Sequence, residues 1–424
     1  MNRRWPAAIA AGAAAWYASD SLRHRRERGQ GYTLRGEALD VGADDFLRAT
    51  EAITMAPITR GNDIELFVNG DEIFPAMLET MRGARRSLNF LTYLYWSGEI
   101  AEQVAAALCE RARAGVEVNV LLDAVGSAKM DRDLLRKLSD AGVTFAYFRP
   151  PKPYAMRRLN NRTHRKLLIA DGTVGMTGGV GIADQWAGDA QDPEHWRDTH
   201  VRVRGPVVRG LQGAFAENWL EATGDVLVGP AYLPALEPVT GGGAMQVVRS
   251  TANVGDTNVE ALYFLAIACA HESLHLTSAY FVPRPAFVEA LGDAAQRGVD
   301  VRVLVPGPYA DKEFVRQAGR AVYEELLGAG VQIFEYRPTM IHAKTLTIDG
   351  VWSSIGSVNF DNRSFQLQDE VTLCVCSSAF AAALDEQFER DLERAREIDL
   401  GRWDGRPPAA RVSEQLTKIG RREL

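Results

Sequence analysis

His164-Arg-Lys-Leu-Leu-Ile-Ala-Asp171 and His342-Ala-Lys-Thr-Leu-Thr-Ile-Asp349 decide the reading of this chain. Both follow His-x-Lys-x4-Asp. With seven histidines in 424 residues, even one chance occurrence is on the order of one in a hundred. In each copy the lysine opens an apolar run that ends in Asp-Gly, a hairpin turn signal, and a second strand follows. His and Lys at i and i+2 of a strand share a face, so both can address one ligand. Asp171 and Asp349 belong to the candidate catalytic set as members of the motif, although at a turn the residue type by itself reads as a turn former or salt-bridge partner.

Outward from the motifs the chain repeats itself. Ser87-Leu-Asn-Phe90 and, after an amphipathic stretch, Arg113-Ala-Gly-Val-Glu-Val-Asn-Val-Leu-Leu122 match Ser273-Leu-His-Leu276 and Gln296-Arg-Gly-Val-Asp-Val-Arg-Val-Leu-Val305. Ala141-Gly-Val-Thr-Phe-Ala-Tyr147 likewise matches Ala329-Gly-Val-Gln-Ile-Phe-Glu335. In each half a helix ends at a glycine suited to the left-handed cap, and a β-branched run begins at once. This grammar predicts two α/β lobes related by pseudo-twofold symmetry, each a mixed β-sheet flanked by helices, over residues 41–228 and 250–400. A Pro- and Gly-rich linker, 229–249, joins them, and a basic tail covers 401–424.

Composition narrows the function. The chain is 46% hydrophobic and 24% charged, which excludes a disordered or polytopic membrane protein. A net charge of -7 and a pI near 5.7 argue against a surface built to grip nucleic acid. Cys109, Cys269, Cys374 and Cys376 are too few and too scattered for a disulfide scaffold, which reads as a reducing compartment. Cys374-Val-Cys376 reads as strand residues on one face. At the N-terminus, within residues 1–40, Arg3-Arg4 precede the apolar run Trp5 to Ala18, and Arg23, Arg25 and Arg26 follow. At about 14 residues the run is short of the roughly 20 a spanning helix needs. Trp5, Trp16 and Tyr17 with arginine flanks suit a segment lying at an anionic membrane surface.

The paired motif points to phosphate-ester chemistry. Protonated lysine is a poor metal ligand, so no metal is expected. One neutral imidazole can attack phosphorus, a second can protonate the leaving group, and two ammonium groups neutralise the phosphoryl oxygens. Neither half carries that complement alone, so the halves should share one site. His195, His200, His271 and His275 lack a lysine partner and are read as structural.

At this point the chain resembles the phospholipase D superfamily, from about residue 60 to 395, through its doubled His-x-Lys-x4-Asp. Within that superfamily, Ser278-Ala-Tyr-Phe-Val-Pro283 and the total length with a short N-terminal segment resemble the bacterial cardiolipin synthases. The resemblance implies a phosphohistidine intermediate, no metal or other cofactor, His164 as nucleophile with Lys166, and His342 as acid with Lys344. Gly356-Ser357-Val-Asn359 matches the family's small-residue and asparagine element, where the amide helps to hold phosphate. The first half has Gly178-Gly-Val-Gly181, without the asparagine, so the lobes should be unequal. Asp198 and Glu370 stand where the family places the carboxylate that orients the imidazole. The implied reaction is phosphatidyl transfer between two phosphatidylglycerol molecules to make cardiolipin, at a cell membrane, with the lobes on the cytoplasmic side. Its rivals are hydrolysis of the same diester, nuclease activity, for which no nucleic-acid partner is expected, and a non-catalytic membrane scaffold, disfavoured by two intact motifs. One segment breaks the repeat: Pro150 to Arg162, with Lys152, Tyr154, Met156, Arg157, Arg158 and Arg162, reads as a loop meeting anionic headgroups.

Overall fold

The two motif hairpins form as their sequence dictates. Leu167–Ala170 pairs antiparallel with Val174–Gly178, and Lys344–Ile348 with Trp352–Gly356. Asp171 and Gly172 turn the first with φ of 55° and 66°, Asp349 and Gly350 the second with 53° and 61°. Two successive positive φ values are the requirement of a type I′ turn, which Asp-Gly meets at low cost. The computed structural model describes residues 31–151, 160–252 and 256–404. The segment Trp5 to Ala18, the loop positions Lys152, Tyr154, Met156, Arg157 and Arg158, and the tail beyond 404 lie outside the described residues. Two units divide the chain, 1–35 and 36–424; of the first, residues 31–35 form neither helix nor strand.

In the first half the strands are β1 (Ile58–Val68), β2 (Ser87–Thr92), β3 (Glu117–Asp123), β4 (Thr144–Phe148), β5 (Arg162–Thr163), β6 (Leu167–Ala170), β7 (Val174–Gly178) and β8 (Thr199–Arg204). The second half contributes β9 (Gly243–Ser250), β10 (Ser273–Ser278), β11 (Phe281–Val282), β12 (Asp300–Pro306), β13 (Gln332–Tyr336), β14 (Lys344–Ile348), β15 (Trp352–Gly356), β16 (Phe360–Asp361), β17 (Gln368–Cys376) and β18 (Ala395–Glu397). All but β11 and β16 join one mixed sheet in the order β18-β13-β12-β10-β14-β15-β17-β9-β1-β8-β7-β6-β2-β3-β4, with β5 added against β17. The order is nearly palindromic about the antiparallel pair β9 and β1, so the halves are continuous through that pair rather than strung on a linker. The span read as linker accordingly divides: up to Gly242 it carries neither helix nor strand, and from Gly243 it is β9, a core strand whose Met245 and Val248 are buried.

Repeated crossovers account for the faces. β2 to β3 to β4 and β10 to β12 to β13 run parallel, each connected through a helix, as parallel neighbours require. Helices Glu99–Arg113 and Pro285–Gln296 occupy matching places between the first two strands of each set. One apolar cluster crosses the dyad, joining Leu167, Ile169 and Val201 to Ile355, Val371, Leu373 and Val375 under helix Val208–Thr223. Truncating a large member of such a cluster costs about 2–5 kcal/mol. Cys374 is buried within β17 and Cys376 is half-buried at its end. None of the described helices is long and apolar enough to cross a membrane.

Candidate active site

Each motif histidine is delivered by the other half of the molecule. β5 pairs in parallel with the start of β17, Arg162 opposite Gln368 and Thr163 opposite Asp369. The next residues, His164 and Glu370, therefore stand side by side, and His164 N donates to Asp369 O at 2.8 Å. Across the dyad, Arg197 bridges Ile341 in parallel, and His342 N donates to Arg197 O at 2.7 Å. His342 and Asp198 are the next residues there. His164 Nδ1 lies 3.1 Å from both carboxyl oxygens of Glu370 and 3.1 Å from Ser357 O. His342 Nδ1 lies 2.8 Å from Asp198 Oδ2. Oxygen acceptors at Nδ1 call for a proton there, which leaves each Nε2 with its lone pair.

The lysines face inward with them. Lys166 Nζ donates to His164 O at 2.8 Å, and Lys344 Nζ lies 3.0 Å from both ring nitrogens of His342. All four side chains are more than nine-tenths buried. Burial, then the charge of Lys344, lowers Lys166 to about 7. Lys344 falls to about 8 through burial, opposed by Asp198 and Glu370. Lys166 and Lys344 act on His164, and Lys344 and Lys166 act on His342, so one electrostatic neighbourhood contains both motifs.

The orienting carboxyls differ. Glu370 accepts from the hydroxyls of Ser357 and Ser364, and burial nonetheless raises it to about 7. Asp198 accepts from Trp186 Nε1 at 2.8 Å and from Thr199 N at 2.7 Å. Burial would raise Asp198, but the charge and hydrogen bond of His342 outweigh it and leave it below its ordinary value. His342 is lowered to about 3 by burial and Lys344, with Asp198 pulling the other way; His164 is well below its ordinary value through burial and then Lys166 and Lys344. The aromatic surroundings are unequal too. Trp186, Trp196 and Tyr280 approach the His342 ring at centroid distances of 5.3, 5.7 and 6.4 Å, whereas Tyr93 at 5.3 Å packs on His164.

The structure does not bring Asp171 and Asp349 to the imidazoles. Asp171 accepts from the backbone N–H groups of Arg85, Arg86 and Ser87, and Asp349 from those of His271, Glu272 and Ser273. Each carboxylate caps the chain entering β2 or β10, at the end of the motif strand away from the imidazole. Ser357 touches Glu370, as stated. Asn359 is buried, and its Oδ1 has no hydrogen-bond partner among the described residues. Gly178 and Gly179 are forced by crowding: a Cβ on Gly178 would sit 2.5 Å from His200 Nδ1, and one on Gly179 2.1 Å from Asp198 Oδ1. His195, His271 and His275 pair with Asp192, Asp349 and Asp385, and His200 lies buried in β8; none hydrogen-bonds to the motif histidines.

Several residues here escape a sequence reading. Arg165, fully buried, donates to the backbone oxygens of Glu370, Ala214 and Ser250 and to Glu217 and Asn218, tying the first motif to both halves. Arg197 makes a buried ion pair with Asp391 at 2.9 Å. Arg162, read as a loop cation for headgroups, is instead buried against Asp123 at 2.9 Å. The signal that could have found Arg165 and Arg197 is their place beside His164 and Asp198 in a buried ladder, where a charge needs partners.

A duplicated α/β sheet with one His-x-Lys motif in each half fits the phospholipase D superfamily that the motifs resemble. The family model described as "Cardiolipin synthase, PLD-like domain" matches residues 77–192 and 263–392, and the chain belongs to that family. It is 35% identical over 376 residues to the cardiolipin synthase of Geobacillus sp. (strain WCH70), covering 88% of this chain and 75% of that protein. Cardiolipin synthase 2 of Bacillus anthracis is 34% identical over 377 residues, 88% of this chain and 73% of that one. Since the relatives extend well past the match, total length is not what the proteins share. Among solved structures, phosphatidylserine synthase from Haemophilus influenzae Rd KW20 superimposes with a TM-score of 0.70 at 11% identity, over 90% of this chain and all of that one, a likeness of fold.

Proposed function

We propose that the protein is a phosphatidyltransferase that makes cardiolipin from two molecules of phosphatidylglycerol through a phosphohistidine. The observation that carries the reading is the crossed pairing of each Nδ1 with a buried carboxyl of the opposite half, beside two buried lysines. In the first step His342 takes up a proton at Nε2 as the phosphodiester anion enters, His164 Nε2 attacks phosphorus, the P–O bond to the headgroup glycerol breaks, and the leaving oxygen takes that proton from His342 Nε2. In the second, a hydroxyl of another phosphatidylglycerol gives its proton to His342 and attacks phosphorus, and the N–P bond returns its electrons to His164. Both rings end as they began. The order is the one the resemblance implies; with it go unequal carboxyls, Asp198 held below its ordinary value by His342 against burial, and Glu370 raised to about 7 by burial beside His164. An entering phosphodiester anion also offsets the repulsion that the lysines impose on protonated His342. The two ammonium groups offset the phosphoryl charge, and the resemblance assigns the Asn359 amide to help hold the phosphate.

A lipid substrate puts the work at a membrane surface, with Trp5 to Ala18 as the attachment; removing residues 1–30 should move the protein to the soluble fraction, and unchanged fractionation would count against that segment. The reaction itself is tested by incubating purified protein with headgroup-labelled phosphatidylglycerol. Cardiolipin and glycerol in equal amounts are expected. Phosphatidic acid alone would make it a hydrolase, and an untouched substrate would refute both.

A further inference from the structure

The halves diverge just past their matched glycine elements. Gly178-Gly-Val-Gly181 continues as Ile182-Ala183, and Gly356-Ser-Val-Asn359 as Phe360-Asp361. Both continuations pair in parallel with the chain beyond the matching inner strand, Ile182 with Tyr95, and Phe360 and Asp361 with Phe281 and Val282. Register therefore puts Asp361 where the first half has Ala183, and nothing in the mechanism above uses this carboxyl.

Asp361 is 3% exposed. Its Oδ1 accepts from Ser364 N at 2.8 Å as the cap of helix Asn362–Gln366, while Oδ2 accepts no hydrogen bond and enters no salt bridge among the described residues. That second oxygen is free to accept a hydrogen bond from a bound group. The surroundings belong to the site: the Asp361 charge acts on Lys344 and on Tyr280, and Glu370, Arg363 and Lys312 act on Asp361. Tyr280 forms the wall beside His342, donates its hydroxyl to Asp311 Oδ2 at 2.8 Å, and carries Lys312 Nζ 4.6 Å above its ring.

Geometry of displacement says what meets that wall. An alcohol leaving or attacking in line opposite His164 has its oxygen at His342, between the first half's Trp186 and Trp196 and the second half's Tyr280, and the polar groups about Tyr280 are the ones suited to a second hydroxyl. We infer that Asp361 holds a second hydroxyl of the acceptor, selecting a polyol such as a glycerol headgroup over a simple alcohol or water. The inference rests on the transfer reaction proposed above. In the resolving step the reactive hydroxyl forms the O–P bond, its proton passes to His342 Nε2, and the N–P bond breaks toward His164. The neighbouring hydroxyl donates to Asp361 Oδ2 and is unchanged.

The test uses the full chain in mixed micelles with a phosphatidyl donor bearing a nitrophenol leaving group, and glycerol and 1-propanol as competing acceptors. Nitrophenolate reports total turnover, and the lipid products report partition among glycerol, propanol and water. Wild type should favour glycerol. Asp361→Ser keeps an N-cap acceptor but withdraws the second oxygen; it should cut the glycerol-to-propanol ratio about ten-fold or more, as loss of a hydrogen bond to a charged group predicts, and raise phosphatidic acid. Asp361→Asn, whose Nδ2 can donate to a hydroxyl but not accept from one, should lower the ratio less than Asp361→Ser while leaving the N-cap in place. Unchanged ratios in Asp361→Ser, or all products falling in parallel, would overturn the inference while leaving transfer intact. Nitrophenolate release by wild type with no alcohol product at all would instead sink the transfer reading, and this inference with it.

Discussion

The first and second halves have the same strand order and the same His-x-Lys, yet they hold their histidines by different means. On His164 the contacts are a glutamate with two serine hydroxyls, Ser357 and Ser364, and the ring of Tyr93. On His342 they are an aspartate with an indole N–H, and the rings of Trp186, Trp196 and Tyr280. The glycine elements match this division: Gly179 is bare because the Asp198 carboxylate fills its Cβ position, whereas Ser357 at the corresponding place donates to Glu370. A duplicated scaffold has thus been given two microenvironments, one that drives its carboxyl up and one that leaves it ionised, which is the condition for separate nucleophile and acid roles.

The sharpest way to break this comparison is to remove each ring. His164→Ala should form no covalent adduct with any phosphodiester. His342→Ala should lose about 10²- to 10⁴-fold with phosphatidylglycerol yet still form the adduct with a nitrophenyl diester, whose leaving group needs no proton. Trapping the adduct on His342 would exchange the two roles.

Next in size, the crossed carboxyls should behave as if each belonged to the opposite half. Asp198→Asn should lower turnover by about 10³- to 10⁴-fold through misorienting His342, while adduct formation from the nitrophenyl diester survives. Glu370→Gln should damage adduct formation itself. Equal effects of both on adduct formation would show that the carboxyls do not divide the labour.

Making the halves alike should not restore symmetry. Gly179→Ser drives a Cβ into Asp198, so kcat should fall at least ten-fold in the direction of Asp198→Asn, on the logic that a neighbour must shift when a contact is under 3.0 Å. An unchanged kcat would mean that Asp198 has room to move. In stability, Arg165→Ala should cost about 3–5 kcal/mol in a urea titration, because it strands buried acceptors on both halves, whereas its counterpart Ala343 carries no such load.

Smallest is the pH response. Lys166 and Lys344 lose their protons near 7 and 8 rather than 10.5, so phosphate loses its cations as pH rises, and KM should climb between pH 7 and 9 with kcat changing less. Lys166→Arg, always protonated, should flatten that rise more than Lys344→Arg. A KM independent of pH in the native enzyme would contradict the lowered lysines.

Much of this was legible in the residues. The helix-Gly-strand grammar around Gly115, Gly142, Gly298 and Gly330 gave the parallel strands, and the doubled motif gave both hairpins, because these depend on contacts a few residues apart. The resemblance points to Asp198 and Glu370 as orienting carboxyls, and they hydrogen-bond the imidazoles, but their exchange between halves is not legible, since it depends on β5 pairing with β17 about two hundred residues away. The same distance hid β9: Gly243 begins a strand at the end of a Pro- and Gly-rich stretch, and composition records the turn and not the partner waiting at β1. Asp171 and Asp349 show the opposite case, where a motif letter is shared with the chemistry but spent on holding the entry to β2 and β10.

The antiparallel pair at the dyad also has a bearing on how the chain is made. β1 is complete long before Gly243 leaves the ribosome, and until then its edge opposite β8 offers unpaired amides and carbonyls to any passing neighbour. Residues 229–242 set the delay before that edge is closed by β9. Synthesis therefore passes through a half-sheet exposed on the very line where the finished molecule is joined, and a pause or truncation ahead of residue 243 would leave a nascent chain prone to pair with its own copies.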